Sequence, residues 1–341
     1  MVDWDLAVSV GRRVAGDGPE ISREDAAAVV AELRADAQRS TALVREFTGM
    51  VDADPHAPPA PVVVVDRGGW VQANADGFAT ALAPVIDKLG DKSTSRVAQA
   101  VGRRITGVEA GFVLGFLAGK VLGQFDPFYA PTGRLLLVAP NVVHVERELG
   151  VDPHDFRLWV CLHEETHRVQ FTATPWLGDH LLGQIRDLAD SLEPTSLLDD
   201  GLGRLAAAVR GEGAGEASVM DLIGGPEQRA IVDRVTGVMS LLEGHADVVM
   251  DGVGPTVIPS VKEIRKRFNR RRRGGGVADR LLRRLLGMDA KMAQYRDGAK
   301  FVRAVVAKAG MAELNAVWEH PDNLPSKEEI ADPSAWISRV L

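Results

Sequence analysis

Cysteine is almost missing from this chain: Cys161 stands alone. An internal disulfide framework is therefore impossible, and nothing points to an oxidising compartment. Tyrosine is scarce too, with two residues, a compositional bias that carries no functional message. A long uninterrupted apolar run is also lacking. The most apolar stretch, GVEAGFVLGFLAGKVLG (107–123), is broken by Glu109 and Lys120 and falls short of the ~20 apolar residues that span a bilayer. It reads as a buried helix packed tightly through its glycines. The opening MVDWDLAVSV carries acids where a secretory signal needs basic residues. Positive charge is not in excess, since the formal net charge is −7, which argues against general nucleic-acid affinity. These absences lead us to expect a cytoplasmic protein that engages neither membrane nor nucleic acid.

What is present is ordinary globular material. The chain has 341 residues, 45% hydrophobic and 26% charged, enough for a core without staples. Ser22 as N-cap, Asp25 at the capping-box position and Gly49 as a stop predict a long helix from ISREDAAAVV onward. A proline-rich connection follows at 52–61, then a short extended VVVV and a helix over about 74–89. RLLLVAPN (134–141) is the clearest strand, read either as an edge strand that aligns an extended peptide or as a simple core strand. VDPHD (151–155) starts a helix expected over 156–171. Helical periods recur at 178–194, 203–210, 226–250, 277–286 and 288–309, and GEGAGEAS (211–218) reads as a loop. The basic run KEIRKRFNRRRRGGG, 262–276, reads as a solvated, mobile loop. The expected class is mainly α with minor β, having a small sheet or edge strand near the 156–171 helix.

That helix carries HEETH, 163–167. Residues four apart share a helix face, so His163 and His167 aim two imidazoles at one point, as tetrahedral Zn²⁺ requires. Glu164 lies about 100° round the helix, placed to act as base on a zinc-activated water. A third protein ligand is still required. Glycine and histidine three and six residues after His167 would supply one template, but Gln170 and Ala173 stand there. The second template, a glutamate on a later helix with an acid four residues on, is met by LLEGHADVVMD. Glu243 would bind the metal and Asp247 would accept the spare N–H of a ligand imidazole; a salt bridge to an arginine is the plainer role for Asp247. His245 should point elsewhere unless the helix unwinds at Gly244, in which case it becomes an alternative ligand. His245, Tyr129 and Tyr295 are the candidates for steadying an oxyanion. Cys161 reads as a small apolar filler.

HEETH with the Glu243/Asp247 pair resembles the gluzincin branch of the zincin metallopeptidases. More closely, LHEETHRVQF with LLEGHADVVMD and the tail VWEHPDNLPS…AWISRV are similar to an actinobacterial family of zincin-like hydrolases. That family is also described as associated with biosynthesis of a deazaflavin coenzyme. The resemblance covers most of the chain. It implies a mainly helical zincin-like fold and a Zn²⁺ site with His163, His167 and Glu243 as ligands. Glu164 would be the base and Asp247 the partner of His163. A helical region over 1–125 would then precede a metal-binding region over 126–341, packed as one unit. The expected activity is zinc-dependent hydrolysis of a peptide or other amide. The rival expectations are a non-catalytic zinc protein and an accessory of coenzyme biosynthesis. Two departures stand out. Glu165 puts a charge inside the motif where peptidases have an uncharged residue, and the spacer from His167 to Glu243 is long for a thermolysin-like enzyme.

Overall fold

The computed structural model describes residues 2–90, 96–191, 225–273 and 288–341, with the side chains of 81–90, 96–102, 189, 272–273 and 288–296 outside the description. The helices expected at 203–210 and 277–286 and the loop at 211–218 lie outside the described residues. Helices dominate. α1 (Trp4–Ala15) and α2 (Arg23–Thr48) lead into β1 (Val62–Val65), α3 (Arg67–Gly90) and α4 (Arg96–Ala118). β2 (Gly123–Asp126), β3 (Arg134–Val138), α5 (Ala139–Leu149), α6 (Pro153–Ala173) and α7 (Trp176–Ser191) follow. The last long helices are α8 (Pro226–Gly252), α9 (Val261–Arg273) and α10 (Met288–Ala309). The chain closes with 3₁₀ turns and three short helices, Met311–Leu314, Lys327–Ala331 and Pro333–Val340. The mainly α class with minor β is the observed one.

Local chemistry sets the helix ends. Ser22 accepts from the Asp25 N–H at 3.0 Å, and Gly49 stops α2 at φ 72°, donating to Arg45 O, a left-handed cap that glycine adopts without penalty. Asp152 caps α6 by accepting from the Asp155 N–H at 3.0 Å, with Pro153 as its first residue.

The sheet has the order β1-β3-β2, with β1 parallel and β2 antiparallel to β3. RLLLV is therefore the central strand, and the edge-strand reading of it is corrected. Among the described residues, the edge strand beside α6 is β2. Period-two alternation divides the core. Leu135 and Leu137 face a large cluster with α2, α6 and α8, while Leu136 and Val138 face a smaller one with α1, α3 and α4. Each of these four is at most 1% exposed, so each contributes on the order of 1.5–3 kcal/mol by burial.

Two helix pairs approach through glycine. On α4, a Cβ at Gly111 would stand 2.5 Å from Ala7 O, and one at Gly115 2.5 Å from Gly11 O, so the stripe expected to pack through glycines lies against α1. Where α8 crosses α10, a Cβ at Gly298 would stand 1.9 Å from Ser240 O and one at Gly244 2.2 Å from Gly298 C. α8 runs unbroken through Gly244; the glycine permits the crossing and does not unwind the helix.

The basic run is also corrected: its residues 262–273 lie in α9 and not in a loop, while 274–276 lie outside the described residues. Val261, Ile264 and Phe268 are buried on one face of α9, and three of its arginines are engaged. Arg265 pairs with Asp247 at 3.1 Å and Asp251 at 2.9 Å and stacks over Trp159. Arg267 donates to the Leu149 and Gly150 carbonyls, and Arg271 to Glu148. Among the described residues, no helix is long and apolar enough to cross a membrane.

Candidate functional site

α6 is fastened by the large core and by α2, which fixes where its motif points. Phe156, Trp159, Val160 and Leu162 are buried in the large core. Glu165, the unexpected charge in the motif, faces α2. It accepts from Arg168 Nε at 2.6 Å and from the Thr41 hydroxyl at 3.1 Å, and Arg168 reaches the same hydroxyl at 2.6 Å. A buried carboxylate with those partners is satisfied, so Glu165 locks the helix and leaves the opposite face to the histidines.

On that face, His163 Nε2 and His167 Nε2 lie 3.2 Å apart. Glu243, from α8, brings Oε2 to 3.4 Å from His163 Nε2 and Oε1 to 3.8 Å from His167 Nε2. The three donor atoms all lie within 4.8 Å of one another. Donors of a tetrahedral zinc about 2.0–2.1 Å from the ion stand about 3.3 Å apart, so two nitrogens and one oxygen at these spacings fit Zn²⁺ in kind and in distance. His245 does not join the cluster.

Gln170, which the sequence showed only as a missing glycine, sets the orientation of His167. The Leu242 carbonyl can only accept, so the Gln170 amide nitrogen faces it, at 3.0 Å. The amide oxygen then faces His167 Nδ1 at 2.9 Å. That oxygen can only accept, so Nδ1 carries the proton and Nε2 presents a bare lone pair to the cluster. The second amide N–H points at His245 Nδ1, 3.0 Å away. Gln170 therefore joins α6 to α8 one residue before Glu243. The signal available in the sequence was position: three residues beyond His167, on the same face.

Glu164 lies against the backbone of β2. A Cβ at Gly123 would fall 2.6 Å from Glu164 Cγ, 2.7 Å from Cδ and 3.0 Å from Oε1, so only glycine lets the carboxyl rest there. Burial pushes its pKa up to about 7, with Glu243 and Glu165 adding to the rise and His163 opposing it. Burial disfavours the charged form of His163, but the bonded Glu243, with Glu164 and Asp247, outweighs that and raises its pKa. For His167, burial wins and the pKa falls.

Asp247 lies near enough to influence His163, yet its carboxylate and carbonyl are taken by Arg265, and no described hydrogen bond reaches His163 Nδ1, a buried atom without a partner. His245 is 0% exposed. It sits 5.5 Å from the Trp318 ring, and burial pushes its pKa down to about 3. Tyr129 lies on the β2–β3 connection with the Arg134 guanidinium 4.2 Å from its ring centre. The side chain of Tyr295 lies outside the described residues. Cys161 is fully buried, and burial pushes its thiol well up, so it packs as filler.

A family model for zincin-like metallopeptidases matches residues 2–337. The chain belongs to that family. This family member also resembles a crystal structure from Chloroflexus aurantiacus, provisionally described as a hydrolase with a novel fold. The two are 31% identical, with a TM-score of 0.70 over 99% of this chain and 98% of that one. No curated protein matches.

Proposed function

We propose that this zincin-like metallopeptidase hydrolyses peptide or other amide bonds, with His163, His167 and Glu243 holding Zn²⁺ and Glu164 serving as the general base. The supporting observation is the convergence of two imidazole nitrogens and one carboxylate at ligand spacing, directly beside a glutamate whose pKa stands near 7. Zinc held there supplies Lewis-acid chemistry, polarising a carbonyl and easing the deprotonation of water.

The chain's own residues do the rest. Gln170 keeps the His167 lone pair aimed at the donor cluster. Glu164, poised near neutrality, takes a proton from the attacking water and returns it to the leaving amine. The neighbouring strand aligns the substrate. Val138 N–H donates to Leu122 O at 2.8 Å, so the alternation of an antiparallel pair turns the N–H and C=O of Gly123 and Phe125 away from β3. Those groups can pair with an extended peptide and carry its backbone past Glu164.

The test is metal analysis and cleavage of a peptide library by wild type, His163→Ala and Glu164→Gln. Wild type should hold about one zinc and cut peptides. His163→Ala should lose both properties, and Glu164→Gln should keep the metal and lose cleavage. Cleavage surviving Glu164→Gln would refute the role of the base. Zinc retention with no substrate cut would leave the cluster as a structural clasp.

A further inference from the structure

The proline-rich connection at 52–61 plays no part in the metal cluster, yet it walls a cavity further along the same helix, α6. About 440 Å³ of space lies between that connection, the β2–β3 connection and the C-terminal half of α6, lined by Pro58, Pro59, Pro127, Pro131, Phe125 and Phe171 among others. The two rings sit 5.6 Å apart, tilted by 37°. The prolines and phenylalanines form a stiff, flat apolar side suited to another flat hydrophobic group, and the remainder of the lining includes Asp52, Asp54 and Arg168. The outer wall is tied down. Ala53 N–H donates to Thr172 O at 3.0 Å, the Thr172 hydroxyl donates to Asp52 at 2.7 Å, and Asp52 pairs with Arg45.

The cavity's place relative to Glu164 follows from helix and strand geometry. Phe171 stands seven residues after Glu164, two turns along the same stripe of α6, about 10 Å away. β2 runs beside that stripe, with Gly123 against Glu164 and Phe125 against Phe171. Gly123 and Phe125 are about 6.8 Å apart along the strand. They are also the two residues whose backbone groups turn outward. A peptide paired there and cut beside Glu164 would carry a side chain about two positions away into the cavity.

We propose that this cavity is a side-chain pocket for the chain presented along β2, and that it takes an aromatic residue about two positions from the bond that is cut. The inference rests on the hydrolase reading for its substrate and on the cavity alone for its ligand chemistry.

Gly178, on α7, lines the cavity, and a Cβ added there meets nothing within 4 Å. Gly178→Phe should therefore fill the space without strain, and it replaces a poor helix former. N-acetylphenylalaninamide and N-acetylalaninamide are titrated into the wild-type and Gly178→Phe proteins by calorimetry, and both proteins are profiled on a peptide library. Wild type should favour the phenylalanine amide by about tenfold, the worth of a buried ring over a methyl. The variant should lose that preference, along with any enrichment of aromatic residues about two positions from the cut. No preference in wild type, or a preference untouched by Gly178→Phe, overturns the pocket. Selective binding with no peptide cut supports the pocket and sinks the hydrolase reading.

Discussion

Replacing Gly123 by alanine tests the placement of Glu164 more sharply than removing the glutamate does. The new methyl would lie 2.6 Å from Glu164 Cγ, and ordinary contact begins at 3.4 Å, so the side chain must retreat by about 0.8 Å. The atoms met belong to a side chain and not to backbone, so they can swing. The stability loss should therefore fall at the low end of overpacking costs, about 1 kcal/mol, or a melting shift of about 2 °C. The catalytic loss should be larger, because misplacing a reacting group by about 1 Å costs on the order of 100-fold in rate. Steady-state kinetics on a cleaved peptide should show kcat falling by about that factor while zinc content stays at the wild-type level. A fully loaded Gly123→Ala enzyme with kcat within about threefold of wild type would refute the claim that β2 seats the base, since the displacement predicts far more.

The same geometry predicts the opposite balance at Gly298. A methyl there meets Ser240 O at 1.9 Å and Ser240 C at 2.7 Å, both backbone, so Gly298→Ala should cost more than about 3 kcal/mol; an unchanged denaturation midpoint would contradict the close crossing. Gln170→Leu should weaken zinc retention by about 10–100-fold in chelator competition, and equal retention would remove Gln170 from the site. Asp36 has its pKa raised to about 6, first by burial and then by Glu32, and its Oδ2 is buried without a partner. A carboxyl with a raised folded pKa adds stability below its unfolded value of about 3.9 and loses it as pH rises through 6. Asp36→Asn should therefore match wild type near pH 4 and exceed it above pH 7 in urea melts; a constant difference across that range would exclude the linkage.

The long helices were legible because their signals are local. Ser22 and Gly49 bracket α2, Asp152 and Pro153 open α6, and the spacing of His163 and His167 needs nothing beyond helical geometry. The distant Glu243 was legible because an acid pair on one edge of an apolar helix needs a partner. β2 was not legible. GQFD has little strand character, and it is a strand because β3 lies beside it. α9 was hidden by its own arginines, which mask the three apolar residues that dock it. Asp247 shows the same limit, since its observed partner is Arg265, on the next helix in the described chain, and no spacing rule announces that choice. The cavity could not be read at all, because its walls come from three separate segments.

The Gln170 amide and the Leu242 carbonyl hold the two ligand-bearing helices together through protein atoms alone. The receptacle for the ion should thus stand ready when empty, unlike small domains that collapse once stripped of metal. On the proposed reading, withdrawal and refilling then become ordinary, reversible exchanges, and the readiness of the site should track how much zinc its surroundings supply.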